Sequence, residues 1–120
     1  MVNKKKIGDI GENFAVEYLL NKGYKLIERN RRFKKGEIDI ILKDKDEIVF
    51  VEVKTRTDTI FGPPEDALTP QKRKMLKHIC QLYLERETDY KNYARIDVVS
   101  IILNKSLEVE SIEHFMNAFT

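Results

Sequence analysis

Two short segments carry acidic and basic side chains at a spacing that suits metal-dependent chemistry. They are Gly36-Glu37-Ile38-Asp39-Ile40-Ile41 and Phe50-Val51-Glu52-Val53-Lys54. Both are rich in β-branched residues and lie next to turn residues, so each predicts a β-strand. Because side chains alternate between the two faces of a strand, Glu52 and Lys54 are expected to share one face. In the first segment Asp39 is expected on the face opposite to Ile38 and Ile40.

The polar connector Asp44-Lys45-Asp46-Glu47 predicts a tight antiparallel hairpin between these strands. If those residues form the turn, Lys43 pairs with Ile48 and Asp39 lies directly across from Glu52. Facing residues have Cβ atoms about 4.5–5.5 Å apart, and like charges there repel each other. A Mg²⁺-like cation, which prefers oxygen ligands, would stabilise such a pair of carboxylates.

Hydrophobic periodicity predicts an α/β chain with a mixed sheet of about five strands and two main helices. The helices are expected over residues 7–22 and from Thr69-Pro70 onward, and the strands over residues 24–29, 38–42, 48–54, 95–103 and 108–115. The third and fourth strands are joined through a helix, which predicts parallel pairing between them. Residues 57–68 show no periodicity and are expected to form a loop.

Composition is typical of one domain over residues 1–120. The chain has 120 residues, of which 42% are hydrophobic, and a formal net charge of +2. No apolar run approaches the roughly 20 residues of a membrane span, and no signal-peptide pattern follows the basic N-terminus. A single cysteine, Cys80, excludes an internal disulfide and favours a reducing cytoplasm. We therefore expect a cytoplasmic protein without membrane contact, with Cys80 as a core residue.

Basic residues flank the two acidic strands, although the overall charge is small. Such an arrangement suits contacts with the phosphates of DNA. A phosphate at the start of the second helix would also offset the unfavourable position of cations near a helix N-terminus. The residues expected to bind DNA are Arg31, Arg32, Arg56, Lys72 and Lys74. The alternative for each cluster is a solvated charged surface.

Four further residues have a predicted structural role. Asp97 lies in an apolar strand and is expected to pair with Arg95 or another cation rather than with a metal. Gly8 and Gly11 are costly inside a helix, which suggests close approach to another backbone or to a ligand. Glu12 follows them at the edge of the apolar stripe and can lean toward the sheet. The alternative for Glu12 is an exposed residue favoured by the helix dipole.

The order of the motifs resembles that of the YraN-like family of small bacterial proteins, within the PD-(D/E)xK nuclease superfamily. Besides the two acidic strands, the matching segments are Gly8-Asp9-Ile10-Gly11-Glu12, Gly23-Tyr24, Arg29-Asn30, Arg95-Ile96-Asp97-Val98-Val99 and His114-Phe115-Met116-Asn117-Ala118-Phe119. This family is itself similar to archaeal Holliday-junction resolvases, and the resemblance covers essentially the whole chain.

The resemblance implies a restriction-endonuclease-like fold with an αβββαβ core. It also implies a DNA endonuclease that depends on Mg²⁺ or Mn²⁺ and acts on branched or structured DNA. Carried over by position, the catalytic residues are Glu12, Asp39, Glu52 and Lys54, with Asp39, Glu52 and Glu12 as metal ligands. The resemblance also implies an auxiliary active-site group at Gln71 or Lys72. A homodimer is compatible with it, because the resolvases cut two strands as dimers. The alternative function is a nucleic-acid-binding module without catalysis, acting as an adaptor in DNA processing.

Overall fold

The structure is a computed structural model that describes residues 3–57, 68–89 and 93–118. Within these residues the elements, in chain order, are α1 (Lys4–Asn21), β1 (Lys25–Phe33), β2 (Gly36–Asp44), β3 (Glu47–Arg56), α2 (Pro70–Glu87), β4 (Ala94–Leu103) and β5 (Val109–Phe115). The predicted order of helices and strands is confirmed. Most of the loop predicted over 57–68 lies outside the described residues. Within the described part of the chain, no helix combines the length and apolarity that a membrane crossing requires.

The five strands form one mixed sheet in the order β1-β2-β3-β4-β5. Neighbouring strands are antiparallel except β3 and β4, which are parallel. The parallel pair follows from the chain path, because α2 returns the chain across the sheet between these two strands. The predicted α/β class, the mixed sheet and the helical crossover are therefore confirmed.

The two helices cover opposite faces of the sheet. On one face α1 buries Leu19 against strand residues that include Val51. On the other face α2 buries Ile79 and Cys80 against strand residues that include Phe50, which confirms Cys80 as a core residue. A side chain that leaves the sheet therefore meets α1 or α2 according to the face from which it projects.

Side-chain caps fix where both helices begin. The Asn3 side chain accepts a 2.8 Å hydrogen bond from a backbone N–H in the first turn of α1. Beyond the end of this helix, Gly23 has a φ of +98°, which favours glycine. The Thr69 hydroxyl accepts a 3.1 Å hydrogen bond from the backbone N–H of Lys72. This second cap holds Lys72 in the first turn of α2.

Close contact between α1 and β3 requires a glycine. A β-carbon at Gly11 would overlap the side chain of Thr55, so the helix can cross the strand this closely only because Gly11 has none. The predicted close approach is present at Gly11, although the neighbour is the Thr55 side chain rather than a backbone or a ligand, and a β-carbon at Gly8 would have nothing within 4 Å. The crossing brings the first turns of α1, with Glu12, next to the end of β3.

Candidate active site

The hairpin between β2 and β3 has the predicted register and a shorter turn. Lys43 pairs with Ile48 as predicted, but Asp44 also pairs with Glu47. The turn therefore contains only the two residues between that last pair. Lys45 in this turn has a φ of 57°, a left-handed conformation used by two-residue hairpins. The two acidic strands thus keep the alignment that the sequence predicted.

Asp39 and Glu52 lie one step beyond the last paired residues of this hairpin. Pairing ends at Ile40 and Val51, so the predicted direct cross-strand pair of carboxylates is not formed. The alternation of side chains also shifts at this point, because Ile38 packs on the α2 face whereas Ile40 packs on the α1 face. The prediction that these two isoleucines share a face is wrong. Asp39 therefore stands where β2 leaves β3.

The Asp39 carboxylate lies in the gap between the separating strands. Its Oδ2 accepts a 2.8 Å hydrogen bond from the backbone N–H of Val53. Burial and, next, the negative charge of Glu52 raise the pKa of Asp39 to about 7. Asp39 also lines a cleft of about 500 Å³ together with Glu12 and Glu37. It is thus a desolvated carboxyl group among other carboxylates.

Glu52 projects toward α2 and is only 5% exposed. Its Oε1 lies 3.3 Å from Nζ of Lys54 and 3.0 Å from Nζ of Lys72. Burial and, next, the neighbouring Lys72 lower the pKa of Lys54. The predicted grouping of Glu52 with Lys54 is therefore present. Lys72, which was predicted both as a DNA contact and, with Gln71 as the alternative, as an auxiliary active-site group, lies in this site.

Glu12 reaches the cleft from α1, and its side chain is only 13% exposed. Its carboxylate accepts hydrogen bonds of 3.0 and 3.2 Å from Arg29 and of 3.1 Å from Asn30. Asn30 also donates to Glu37 at 3.2 Å, and it has a φ of 53°, which asparagine tolerates. The alternative of an exposed Glu12 is wrong. The matching Arg29-Asn30 segment was the only sequence signal for these two partners, and it suggested no role for them.

The three predicted metal ligands are not assembled into one cluster. Within residues 3–57, 68–89 and 93–118, no three acidic, histidine or cysteine side chains are grouped so that they could hold a metal ion. Glu12 is held by Arg29 and Asn30 on the α1 side, while Glu52 is held by lysines on the α2 side. Asp39 lies between them and experiences the charges of both Glu12 and Glu52.

Asp39 and Glu52 nevertheless fit a small divalent cation. The raised pKa of Asp39 reflects a buried carboxylate beside a second one, an arrangement that a positive charge would stabilise. Mg²⁺ is commonly bound through one or two carboxylates and keeps several waters. The donor set of Asp39 and Glu52 therefore suits Mg²⁺ or Mn²⁺ without a third carboxylate.

The predicted DNA contacts lie in different places. Arg32 lines the cleft of Asp39, with a side chain that is 86% exposed. Arg56 lines a second cleft of about 510 Å³ together with Lys54, and Lys74 is exposed on α2. The two clefts share the wall residues Gly8 and Val53. Arg32 and Arg56 therefore lie in two adjoining clefts beside the carboxylates.

Arg31 does not reach this surface and instead connects β1 to α2. Its guanidinium nitrogens lie 3.2 Å from carboxylate oxygens of both Glu28 and Glu87. Its guanidinium carbon lies 5.2 Å from the ring centre of Phe33 and 5.4 Å from that of Tyr83. These contacts assign Arg31 to the packing between β1 and α2, away from Asp39 and Glu52.

A family model named "Uncharacterised protein family UPF0102" matches residues 11–101. The chain belongs to this family. The match spans residues 11–21 of α1, the whole β1–β2–β3 meander, α2 and most of β4, so it includes Glu12, Asp39, Glu52, Lys54 and Lys72. The resemblance to the YraN-like family is confirmed by this membership.

Relatives within UPF0102 align over almost their full lengths. A UPF0102 protein of Caldanaerobacter subterraneus subsp. tengcongensis is 44% identical over 120 residues, which cover 98% of each chain. One of Clostridium botulinum strain Hall is 47% identical over 116 residues, covering 96% of this chain and 94% of the relative. One of Caldicellulosiruptor saccharolyticus is 42% identical over 118 residues, covering 98% and 100%.

Two solved structures show a more distant similarity. The complex of EndoMS with double-stranded DNA aligns with a TM-score of 0.44 and 18% identity, over 78% of this chain and 35% of that chain. A repair endonuclease from Pyrococcus abyssi aligns with a TM-score of 0.40 and 19% identity, over 87% of this chain and 39% of that chain. This UPF0102 chain thus spans less than two fifths of either solved protein.

A separate buried cluster surrounds Asp97 in β4. The Asp97 carboxylate is fully buried, and it lies 3.0 Å from Nε of Arg95 and 2.7 Å from Nε2 of His114. It also accepts a 2.8 Å hydrogen bond from the backbone N–H of Asn117. Burial opposes ionisation, but the hydrogen bonds from His114, Asn117 and Arg95 outweigh it and lower the pKa of Asp97. The predicted pairing of Asp97 with Arg95 is confirmed.

Proposed function

We propose that this protein is a metal-dependent endonuclease that hydrolyses phosphodiester bonds in DNA, with Mg²⁺ or Mn²⁺ as its cofactor. The main support is the desolvated Asp39 carboxyl beside Glu52 at the point where β2 and β3 separate. Burial and mutual repulsion disfavour such a pair, and the pKa of Asp39 is raised although Lys54 and Lys72 lie next to Glu52. Two buried carboxylates can hold a divalent cation that polarises a phosphoryl oxygen, and a lysine beside them can offset the negative charge that develops during hydrolysis.

Each site residue has a distinct part in this proposal. Asp39 and Glu52 would hold the cation, which when bound supplies Lewis-acid stabilisation of negative charge at the scissile phosphate. Lys54, whose Nζ lies 3.3 Å from Glu52, would orient the attacking water and offset the negative charge that develops. Glu12 was predicted as a ligand, but its bonds to Arg29 suggest that it shapes the opposite wall of the cleft.

DNA is the proposed substrate because cations surround the acidic pair in space. Arg32 at the rim of one cleft and Arg56 in the adjoining cleft lie on the approaches to Asp39. Positively charged side chains beside a cleft attract polyanions and raise their local concentration. Branched DNA is the first substrate to test, because the motif order resembles that of the YraN-like family, which is similar to archaeal Holliday-junction resolvases. A homodimer would bring two such sites to one junction.

A DNA-binding module without catalysis is the second candidate. Its support is that lysines already neutralise Glu52, while Arg29 and Asn30 hold Glu12. In that case the acidic side chains would stabilise the fold, and the surrounding cations would bind phosphate. The endonuclease would cleave DNA only with a divalent cation present, whereas the binding module would bind DNA without cleaving it.

A cleavage assay separates the two functions. Purified protein is incubated with single-stranded, duplex, flap and four-way DNA in Mg²⁺, in Mn²⁺ and in EDTA, beside the Asp39→Asn variant. Cleavage that requires a divalent cation and is lost in the variant supports the endonuclease. Binding in EDTA without cleavage of any of the four DNAs under any condition supports the binding module.

A further inference from the structure

One carboxylate oxygen of Glu52 forms ion pairs with two lysine ammonium groups. Oε1 lies 3.0 Å from Nζ of Lys72 and 3.3 Å from Nζ of Lys54, and the Glu52 side chain is almost completely buried. A buried carboxylate is strongly destabilising unless it is paired. In the absence of a metal ion, the two lysines therefore supply the positive charge that Glu52 requires.

The two lysines are anchored differently. Lys54 follows Glu52 on β3 and pairs with Ser100 of β4, so its backbone is fixed in the interior of the sheet. Lys72 comes from the first turn of α2 and reaches Glu52 through a flexible side chain whose exposed fraction is 33%, against 17% for Lys54. The Lys72 ammonium can therefore move into solvent more easily than that of Lys54.

The position of Lys72 near a helix N-terminus adds to this asymmetry. Cations there oppose the helix macrodipole, so the attraction of Glu52 is what favours the inward position of Lys72. Asp39 contributes as well, since its negative charge also acts on Lys72. Lys72 is thus held by the same two carboxylates that would bind a divalent ion.

We propose that Lys72 is an internal competitor of the metal ion, which neutralises Glu52 in the metal-free protein and leaves it when a divalent cation binds. A released Lys72 ammonium remains near Lys54, which lines one of the two clefts, and from there it can contact a phosphate of the substrate. Lys72 then has two roles in sequence, the first in stabilising the metal-free site and the second in binding DNA. This inference rests on the proposed metal-dependent function.

The test is the affinity of the protein for Mn²⁺, measured by calorimetric titration without DNA. The variants are Lys72→Met, which keeps the length of the side chain without its charge, and Lys77→Met, an exposed lysine of the same helix, as the matched control. We expect Lys72→Met to bind Mn²⁺ about tenfold more tightly than the wild type, because the competing charge is gone. Lys77→Met should bind Mn²⁺ as the wild type does.

Thermal unfolding gives a second readout that does not depend on activity. Without metal, Lys72→Met should have a lower Tm than the wild type, because Glu52 has lost one of its two cations. Addition of Mn²⁺ should raise the Tm of Lys72→Met by more than that of the wild type, since ligand binding to the folded state adds stability. If Lys72→Met does not fold without metal, Lys72→Gln takes its place in both measurements.

The outcomes distinguish this inference from the proposed function. If the wild type binds Mn²⁺ and cleaves DNA while Lys72→Met binds Mn²⁺ equally or more weakly, the competitor role of Lys72 is wrong and the nuclease proposal stands. If Lys72→Met binds Mn²⁺ and the wild type does not, the competitor role is supported. If neither protein binds Mn²⁺, the metal-dependent function fails and the inference fails with it.

Discussion

Asp39 Oδ2 accepts a 2.8 Å hydrogen bond from the backbone N–H of Val53. Val53 stands between Glu52 and Lys54, so this bond connects the acidic residue of β2 to the middle of the Glu-x-Lys segment of β3. It also satisfies the amide of Val53 just beyond the point where strand pairing ends. The Asp39 side chain therefore substitutes for a backbone partner, and the two strands separate around it.

Asp39→Asn should stabilise the metal-free protein while it removes function. The amide oxygen of the new side chain can still accept from Val53, but the buried charge beside Glu52 is gone. Because the folded-state pKa of Asp39 is raised to about 7, its ionisation costs stability above the unfolded pKa of about 4. We expect the free energy of unfolding to rise by about 1–3 kcal/mol at pH 8, with no gain below about pH 4.

Urea denaturation in EDTA at pH 8 and pH 4 measures this effect. Asp9→Asn is the control, because Asp9 lines the same cleft but is exposed; its substitution should change stability by less than about 0.5 kcal/mol. In parallel, Asp39→Asn should weaken Mn²⁺ binding and abolish cleavage. If Asp39→Asn is less stable than the wild type at pH 8, the ionised Asp39 carboxylate does not destabilise the folded protein and the prediction is wrong.

Lys54→Ala should reduce the rate of cleavage and leave the metal ligands in place. The Asp39 and Glu52 oxygens remain, so Mn²⁺ should still bind. In the proposed mechanism the attacking water would lose the cation that orients it, so the turnover rate at saturating DNA should fall by about 10²-fold or more. The comparison is Arg56→Ala, which should weaken DNA binding more than it slows turnover. Loss of Mn²⁺ binding in Lys54→Ala, with Asp39→Asn still binding, would reverse these assignments.

The sequence predicted the positions of the acidic strands better than the contacts of their side chains. Strand periodicity and the polar connector were sufficient for the pairing of Lys43 with Ile48, because short hairpins are determined by local sequence. They could not predict that pairing would stop before Asp39. At that break the Asp39 carboxylate accepts the hydrogen bond from Val53, a contact that forms only once the two strands are aligned in three dimensions.

Two basic residues also make contacts that the local sequence could not predict. Lys72 was predicted as a phosphate contact from its place in the first turn of α2, and only the family resemblance indicated the active-site position in which its ammonium reaches Glu52. Arg31 meets Glu87 at a separation of 56 residues in the sequence. Local charge clustering indicates that a surface is basic, but the packing of helices on the sheet decides which cations are used inside the fold.

Asp97→Asn should destabilise the protein strongly. Arg95 and His114 are buried around this carboxylate, and removal of one partner from a buried charge cluster costs about 3–5 kcal/mol. Because the pKa of Asp97 is lowered in the folded state, its stabilising contribution is present above the unfolded pKa of about 4 and is lost as the pH falls through the lower folded value.

Chemical denaturation at pH 7 and pH 3 checks this prediction. The difference in stability between the wild type and Asp97→Asn should be largest at pH 7 and should narrow toward pH 3. Glu110→Gln, at an exposed position of β5, is the control and should follow the wild type at both pH values. A deficit that stays constant between pH 7 and pH 3 would mean that the charge of Asp97 is not what stabilises the cluster.

Arg32 and Lys74 should affect DNA binding, whereas Arg31 should affect folding. Each exposed cation that contacts a phosphate of duplex DNA adds about 0.9 to the slope of log affinity against log salt, so Arg32→Ala with Lys74→Ala should flatten the slope by nearly two. Arg31→Ala should leave the slope unchanged and lower the free energy of unfolding by about 1 kcal/mol, since its ion pairs and ring contacts are internal. Fluorescence anisotropy on an inactive Asp39→Asn background, from 50 to 200 mM salt, measures the slopes, and urea denaturation measures the stability. A slope that changes with Arg31 and not with the other two would place the DNA on the β1–α2 side of the molecule, away from the carboxylates.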